Sequence, residues 1–160
     1  MEALKGIWYV TFEQCVCENS KDFFIHDRRN QTNGLYQVVI RDCCIEGLSG
    51  TAIAFSMAKS IVIDGCYFEA NNKYIDLSYS GMSNNVVITN NIFIDSNSAH
   101  SAINMPAVMG RQNGVISHNR VENPMNFIDL STTTQQLLYL IERNATSGTF
   151  TNDATKEHLL

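Results

Sequence analysis

Two lines of this 160-residue sequence say nearly the same thing 25 residues apart, and that repetition constrains the fold more than any other feature. Ser60-Ile-Val-Ile-Asp-Gly-Cys-Tyr-Phe-Glu69 is followed by Asn85-Val-Val-Ile-Thr-Asn-Asn-Ile-Phe-Ile94, so Ile63 overlays Ile88, Cys66 overlays Asn91 and Phe68 overlays Phe93. A short period built from β-branched runs suggests a solenoid, in which each repeat buries its apolar face only against its neighbours. The template is an apolar residue at i, Cys or Asn at i+3 and an apolar residue at i+5. It fits at Phe12/Cys15/Cys17, Ile40/Cys43/Ile45, Ile63/Cys66/Phe68, Ile88/Asn91/Phe93 and Ile116/Asn119/Val121, and more weakly at Ile141/Asn144/Thr146. Successive i positions are 28, 23, 25, 28 and 25 residues apart.

A second strand follows each fit: Phe24-Ile-His26, Ile53-Ala-Phe55, Ile75-Asp-Leu77, Ile103-Asn-Met105 and Ile128-Asp-Leu130. Apolar residues alternate there with something else, the period of a half-buried strand. Turn-rich segments such as Leu48–Thr51, Ser80–Asn85 and Gly110–Gly114 absorb the variation in repeat length. Crossover helices, which an ordinary parallel sheet would need, are missing from the pattern; Gln135 to Arg143 keeps the repeat register and reads as another rung. The expected fold is therefore all-β: a right-handed parallel β-helix of about six rungs over residues 1–148, with 149–160 as a tail or the start of a further segment of a longer chain. Cys15, Cys43, Cys66, Asn91, Asn119 and Asn144 should stack as one ladder, about 4.8 Å per rung. The Asn side chains would satisfy backbone groups at a tight bend, and Cys would serve as a small buried hydrophobe.

Composition removes several function classes. Charged residues are 17% of the chain and the net charge is −5 with no basic run, which argues against a nucleic-acid partner. No apolar segment reaches about 18 residues, so no membrane insertion is expected, and the N-terminus lacks a signal-peptide core. Five cysteines, an odd number with Cys43 and Cys44 adjacent, predict free thiols. The scattered His26, His100, His118 and His158 have no metal-ligand spacing, and no cofactor is implied.

The Asn ladder, the Asn-Asn turns and the rung Asn113-Gly-Val-Ile-Ser-His-Asn-Arg-Val-Glu-Asn123 together resemble the pectate-lyase-like superfamily of right-handed parallel β-helices, in its phage tailspike and appendage branch. The resemblance covers residues 8–146 as an architectural pattern, without a catalytic motif. It implies a homotrimer in a phage virion, made in the host cytoplasm, that binds a bacterial surface polysaccharide. Whether such a domain also cleaves its glycan, as a glycoside hydrolase or a polysaccharide lyase, is left open. A structural shaft without a ligand, and a bacterial polysaccharide-degrading enzyme, are the alternatives.

Outward columns carry the candidate sites. Position i−1 holds Val39, Val62, Val87, Val115 and Leu140, an apolar strip that suggests self-association. The second strand should present Ile25, Ala54, Asp76, Asn104 and Asp129. Asp76 and Asp129 would stand two rungs, about 9–10 Å, apart, near the separation of an inverting glycosidase, and are the candidate catalytic pair. Asn104 between them would bind a sugar hydroxyl, and Tyr67 and Tyr74, with Trp8, would stack on sugar rings. The acidic column Glu18/Glu46/Glu69/Glu122 could serve acid/base chemistry, a cation or simply solvent exposure. His118 and Arg143 share the i+2 column with Asn90 and could act as base and charge neutraliser in a lyase.

Overall fold

A computed structural model of the protein describes residues 9–21, 24–26, 35–55, 58–77, 85–95, 100–104, 112–122, 126–129 and 137–146. The chain coils through three short strands at a time. The first coil is β1 (Tyr9–Glu13), β2 (Val16–Glu18) and β3 (Ile25–His26); the second is β4 (Leu35–Arg41), β5 (Cys44–Glu46) and β6 (Thr51–Ala54). The third is β7 (Ala58–Asp64), β8 (Tyr67–Glu69) and β9 (Lys73–Asp76), and the fourth β10 (Asn85–Thr89), β11 (Ile92–Ile94) and β12 (Ser101–Asn104). Then come β13 (Gln112–Ser117), β14 (Arg120–Glu122) and β15 (Asn126–Asp129), followed by β16 (Leu137–Glu142) and β17 (Ala145–Thr146). Each strand pairs in parallel with its counterparts one coil away, giving sheet A (β1-β4-β7-β10-β13-β16), sheet B (β2-β5-β8-β11-β14-β17) and sheet C (β3-β6-β9-β12-β15). This is the all-strand parallel solenoid that the repeat implied, and Leu137–Glu142 is strand as its register required.

The register explains the columns. Val10, Val38, Ile61 and Val86 stack inward beside Phe12, Ile40, Ile63, Ile88 and Ile116, and Ile45, Phe68, Phe93 and Val121 face them from sheet B. Most of these side chains are wholly buried, and Phe68 and Phe93 stack with centroids 4.9 Å apart. One inward slot is filled differently: Gly114 has no side chain, and Tyr139 of the next coil is buried against it.

The corner between sheets A and B is held by the predicted ladder. Asn91 accepts from the Cys66 N–H at 2.9 Å and donates to Ile63 O at 3.0 Å. Asn119 repeats this with Asn91 N and Ile88 O, and Asn144 with Asn119 N and Ile116 O. The amides also bond to one another, Asn91 to Asn119 at 2.9 Å and Asn119 to Asn144 at 3.0 Å. Cysteine does the same work more weakly. The Cys66 thiol lies 3.5 Å from Asp64 O and 3.7 Å from Ile40 O and receives the Cys43 N–H; the Cys43 thiol lies 3.2 Å from Arg41 O and 3.7 Å from Phe12 O and receives the Cys15 N–H. All five cysteines are free thiols. Burial pushes the Cys66 thiol up to about 12, so it stays a protonated donor.

The residue preceding the ladder position is left-handed in every coil: Gln14, Asp42, Gly65, Asn90, His118 and Arg143 have φ between 52 and 66°. The column that joins His118 to Arg143 is thus set by backbone geometry at the corner.

Candidate functional site

Three outer faces could carry function. On sheet A the register aligns Thr11, Val39, Val62, Val87, Val115 and Leu140 as expected. Val39 departs from the expectation of an exposed strip, being only 8% exposed, whereas Leu140 is 41% exposed. The strip is one side chain wide. Its neighbour on one side is the uncharged column Tyr9, Gln37, Ser60 and Asn85. On the other side Asp64 is ion-paired to Arg41 at 3.6 Å and accepts from Thr89 and Asn90.

Sheet B presents Val16, Cys44, Tyr67, Ile92 and Arg120 beside Glu18, Glu46, Glu69, Ile94 and Glu122. Glu18, Cys44 and Glu46 bring their ligand atoms within 4.8 Å of one another, a proximity that spacing in sequence did not reveal. Burial, then the charges of Glu18, Glu46 and Glu69, push the Cys44 thiol up. The Tyr67 hydroxyl donates to the Glu69 carboxylate, which raises the phenol to about 12. Tyr67 is therefore tied along its own strand, on the open face of sheet B. Arg120 pairs with Glu122 at 2.7 Å. These are mostly acidic groups on the outer face of sheet B.

Sheet C carries a concavity among the described residues. A cavity of about 230 Å³ is lined by Asn72, Lys73, His100, Ser101, Asn104 and Asp129. Asn104 and Asp129 are adjacent in register, with Asp76 preceding them in the same column. Two candidates are thus brought together here, and three sequence expectations are corrected. The head of the column is His26 and not Ile25, because Ile25 pairs with Ile53. Asp76 is 7% exposed and does not line the cavity, so it is poorly placed as one carboxyl of a two-carboxylate pair. Tyr74 is wholly buried and cannot stack on an external sugar. Its ring packs edge-on against Phe68 and Phe93, with centroids 6.4 and 6.1 Å away, and its hydroxyl donates to Ile94 O at 2.9 Å. An aromatic with a polar tip closes the corner between sheets B and C while satisfying a backbone carbonyl. Trp8, Met105, Leu130 and the proposed boundary at 148 lie outside the described residues.

The remaining lining residues come from the turns that enter sheet C. Asn71, 1% exposed, accepts from Leu48 N at 3.0 Å and donates to Ile45 O at 2.9 Å. That anchors the turn presenting Asn72 and Lys73, whose own N–H groups bond to Leu48 O and Gly50 O. His100 O accepts from Asn126 N at 2.9 Å, fixing the entry to β12. The His100 ring is held by Asp95: Nδ1 lies 2.5 Å from Oδ2, and the Asp95 side chain is only 6% exposed. Behind it, burial foremost and then the hydrogen bond with Asp95 push the Tyr74 hydroxyl up. His100 and Asp95 were not legible as a site. His100 lacks metal spacing, and Asp95 displaces the acidic slot of its coil by one position.

Residues 4–152 match the family model described as "Right handed beta helix region". No curated protein and no solved structure matches the chain.

Proposed function

Because this chain belongs to the right-handed β-helix family, we propose that it serves as a tailspike-type domain recognising a bacterial surface polysaccharide in the groove of sheet C. The observation that carries the reading is the composition of that groove: a carboxylate (Asp129), two amides (Asn72, Asn104), a hydroxyl (Ser101), an ammonium (Lys73) and an imidazole (His100) around one cavity. Sugars are recognised by such convergent polar groups. The volume of about 230 Å³ is smaller than the roughly 300–1,000 Å³ of drug-sized pockets, which suits one ring of an extended chain lying across the coils. The direct test is a glycan array with the intact protein, Asn104→Ala and Asp129→Asn. Loss of the charged partner in Asp129→Asn, about 1.5–3 kcal/mol, should weaken binding on the order of 10- to 100-fold, and loss of the neutral amide in Asn104→Ala, about 0.5–1.5 kcal/mol, roughly 2- to 10-fold. An array on which no polysaccharide binds, or on which both variants bind like the parent, overturns the proposal.

The same reading places the chain in a phage appendage and has it associate with further copies of itself, as a homotrimer. Support for self-association is the strip Val62, Val87, Val115 and Leu140 with its uncharged neighbours Gln37, Ser60 and Asn85, a band of sheet A without a charge across five coils. Sedimentation velocity at micromolar concentration decides it. Oligomers that Val87→Lys dissolves support it, and a monomer at every concentration refutes it.

A further inference from the structure

Within the groove one side chain differs in kind from the rest. His100 lines the cavity, yet its Nδ1 is fastened to a carboxylate that is itself 94% removed from solvent, the Asp95 side chain being 6% exposed. A buried carboxylate acts on an imidazole by accepting its Nδ1–H, which leaves the Nε2 lone pair as the ring's basic position. The contact of 2.5 Å is that arrangement. Asp95 lies beside the buried Tyr74 hydroxyl, whose proton goes to Ile94 O, and the His100 backbone is fixed through Asn126. The ring is thus oriented and set in one tautomer before any ligand arrives, which a residue serving only to bind a hydroxyl does not require.

The rest of the lining narrows the chemistry. Cleaving a glycosidic bond between two carboxyls needs a second carboxyl group at the reacting centre; among the described residues Asp129 is the one carboxylate in the lining, and the buried Asp76 is not part of it. Hydrolysing an acyl ester needs less: one base to deprotonate water, and donors placed where negative charge develops on the carbonyl oxygen. Lys73, Asn72 and Asn104 are such donors.

We infer that the groove removes O-acyl groups from its glycan, with His100 as the general base and Asp95 as its positioning residue; this rests on the glycan-binding reading above. His100 Nε2 takes a proton from water as the water oxygen bonds to the acyl carbon, and the carbonyl electron pair moves onto oxygen beside Lys73. Collapse of that oxyanion re-forms the carbonyl and breaks the bond to the sugar oxygen, which leaves with the proton returned from Nε2. The products are a carboxylic acid and a free sugar hydroxyl. Asp129 sits across the groove to hold neighbouring hydroxyls. The ionisable groups that face or back the imidazole among the described residues are Asp95, Lys73, Asp129 and Tyr74.

The experiment uses the full chain with two probes, 4-nitrophenyl acetate and chemically O-acetylated dextran, reading nitrophenolate and released acetate. The parent should hydrolyse both above buffer. General-base catalysis contributes about 10²–10⁴-fold, so His100→Gln should lose at least 100-fold in kcat. Asp95→Asn should lower kcat about 10- to 100-fold, the loss typical of an outer-shell partner, with KM nearly constant. Arg120→Gln, on sheet B, should match the parent and shows that a surface change alone does not matter. The His100 ring nitrogens in long-range ¹H–¹⁵N correlation spectra give a readout free of any substrate: neutral His100 should be the Nδ1–H tautomer in the parent and change in Asp95→Asn. No hydrolysis by the parent, unchanged rates in His100→Gln, or an Nε2–H tautomer overturns the inference. If a glycan still binds through Asn104 and Asp129 while neither ester is cleaved, the esterase inference falls and the binding reading stands.

Discussion

Replacing Asn119 by Ala should cost more than any single apolar truncation of similar size, and replacing it by Cys should cost much less. The side chain is 1% exposed and makes four hydrogen bonds, accepting from Asn91 N and Nδ2 and donating to Ile88 O and Asn144 Oδ1, all between 2.9 and 3.0 Å. At about 0.5–1.5 kcal/mol net per bond the loss is roughly 2–6 kcal/mol, and Asn119→Ala also strands the buried Asn91 N–H, which adds about 1 kcal/mol or more. The sum, about 3–7 kcal/mol, is a large share of the ~8–24 kcal/mol expected of 160 residues. A thiol keeps the donor to Ile88 O and an acceptor for Asn91 N, as Cys66 does for Ile40 O and Cys43 N. Asn119→Cys should therefore cost about half as much or less. Equilibrium urea unfolding measures both, and the m-value must be compared, since a solenoid can fray from one end and lose the two-state approximation. An Asn119→Ala penalty under about 1 kcal/mol, or equal penalties for Ala and Cys, would refute the hydrogen-bond account of the ladder.

Two further outcomes follow from the same corners and columns. Cys66 has its thiol raised from 9.0 to about 12 by burial, so the folded state holds a proton that the unfolded chain releases above pH 9. Its contribution to stability is complete below pH 9 and is lost as pH rises towards 12; melting temperature should fall across that window, and less steeply in Cys66→Asn. On native protein at pH 8, iodoacetamide followed by mass spectrometry should leave Cys66 unmodified, and rapid labelling there would contradict its burial. Gly114→Ala places a methyl group 2.0 Å from Val86 O and 2.8 Å from Tyr139 Cε1, an overlap that overpacking data put at about 3 kcal/mol or more; thermal melts that match the parent would show that the Gly114–Tyr139 fit is loose.

What could be read from the sequence depended on whether a structural demand recurs at a fixed distance. At the A–B corner it does. Every coil needs a left-handed residue and then a small side chain that bonds one coil back, so Cys or Asn stands three residues after each inward apolar residue and the period declares itself. The entry to sheet C follows such a rule only in part: left-handed residues stand there in the first three coils (Asn19, Gly47 and Ala70) and Asn71 bonds one coil back, but the spacing that follows changes from coil to coil. From the last residue of the sheet B strand to the inward Ile of sheet C the chain takes seven residues in the first two coils (Glu18 to Ile25, Glu46 to Ile53), six in the third (Glu69 to Ile75) and nine in the fourth (Ile94 to Ile103). Phe24 and Ile25 are both apolar, so a period of two could not decide between them, and only the pairing of Ile25 with Ile53 places His26 in the column of Asp76, Asn104 and Asp129. The same variability hides the groove. Asn72, Lys73, His100 and Ser101 come from these unequal entries, and His100 meets Asp95 in the coil whose entry takes nine residues. A solenoid spends its regularity on the corners that must stack. Asp95, buried and set against the His100 ring, is where this chain departs furthest from its own repeat, and that departure is the reason to look for chemistry there.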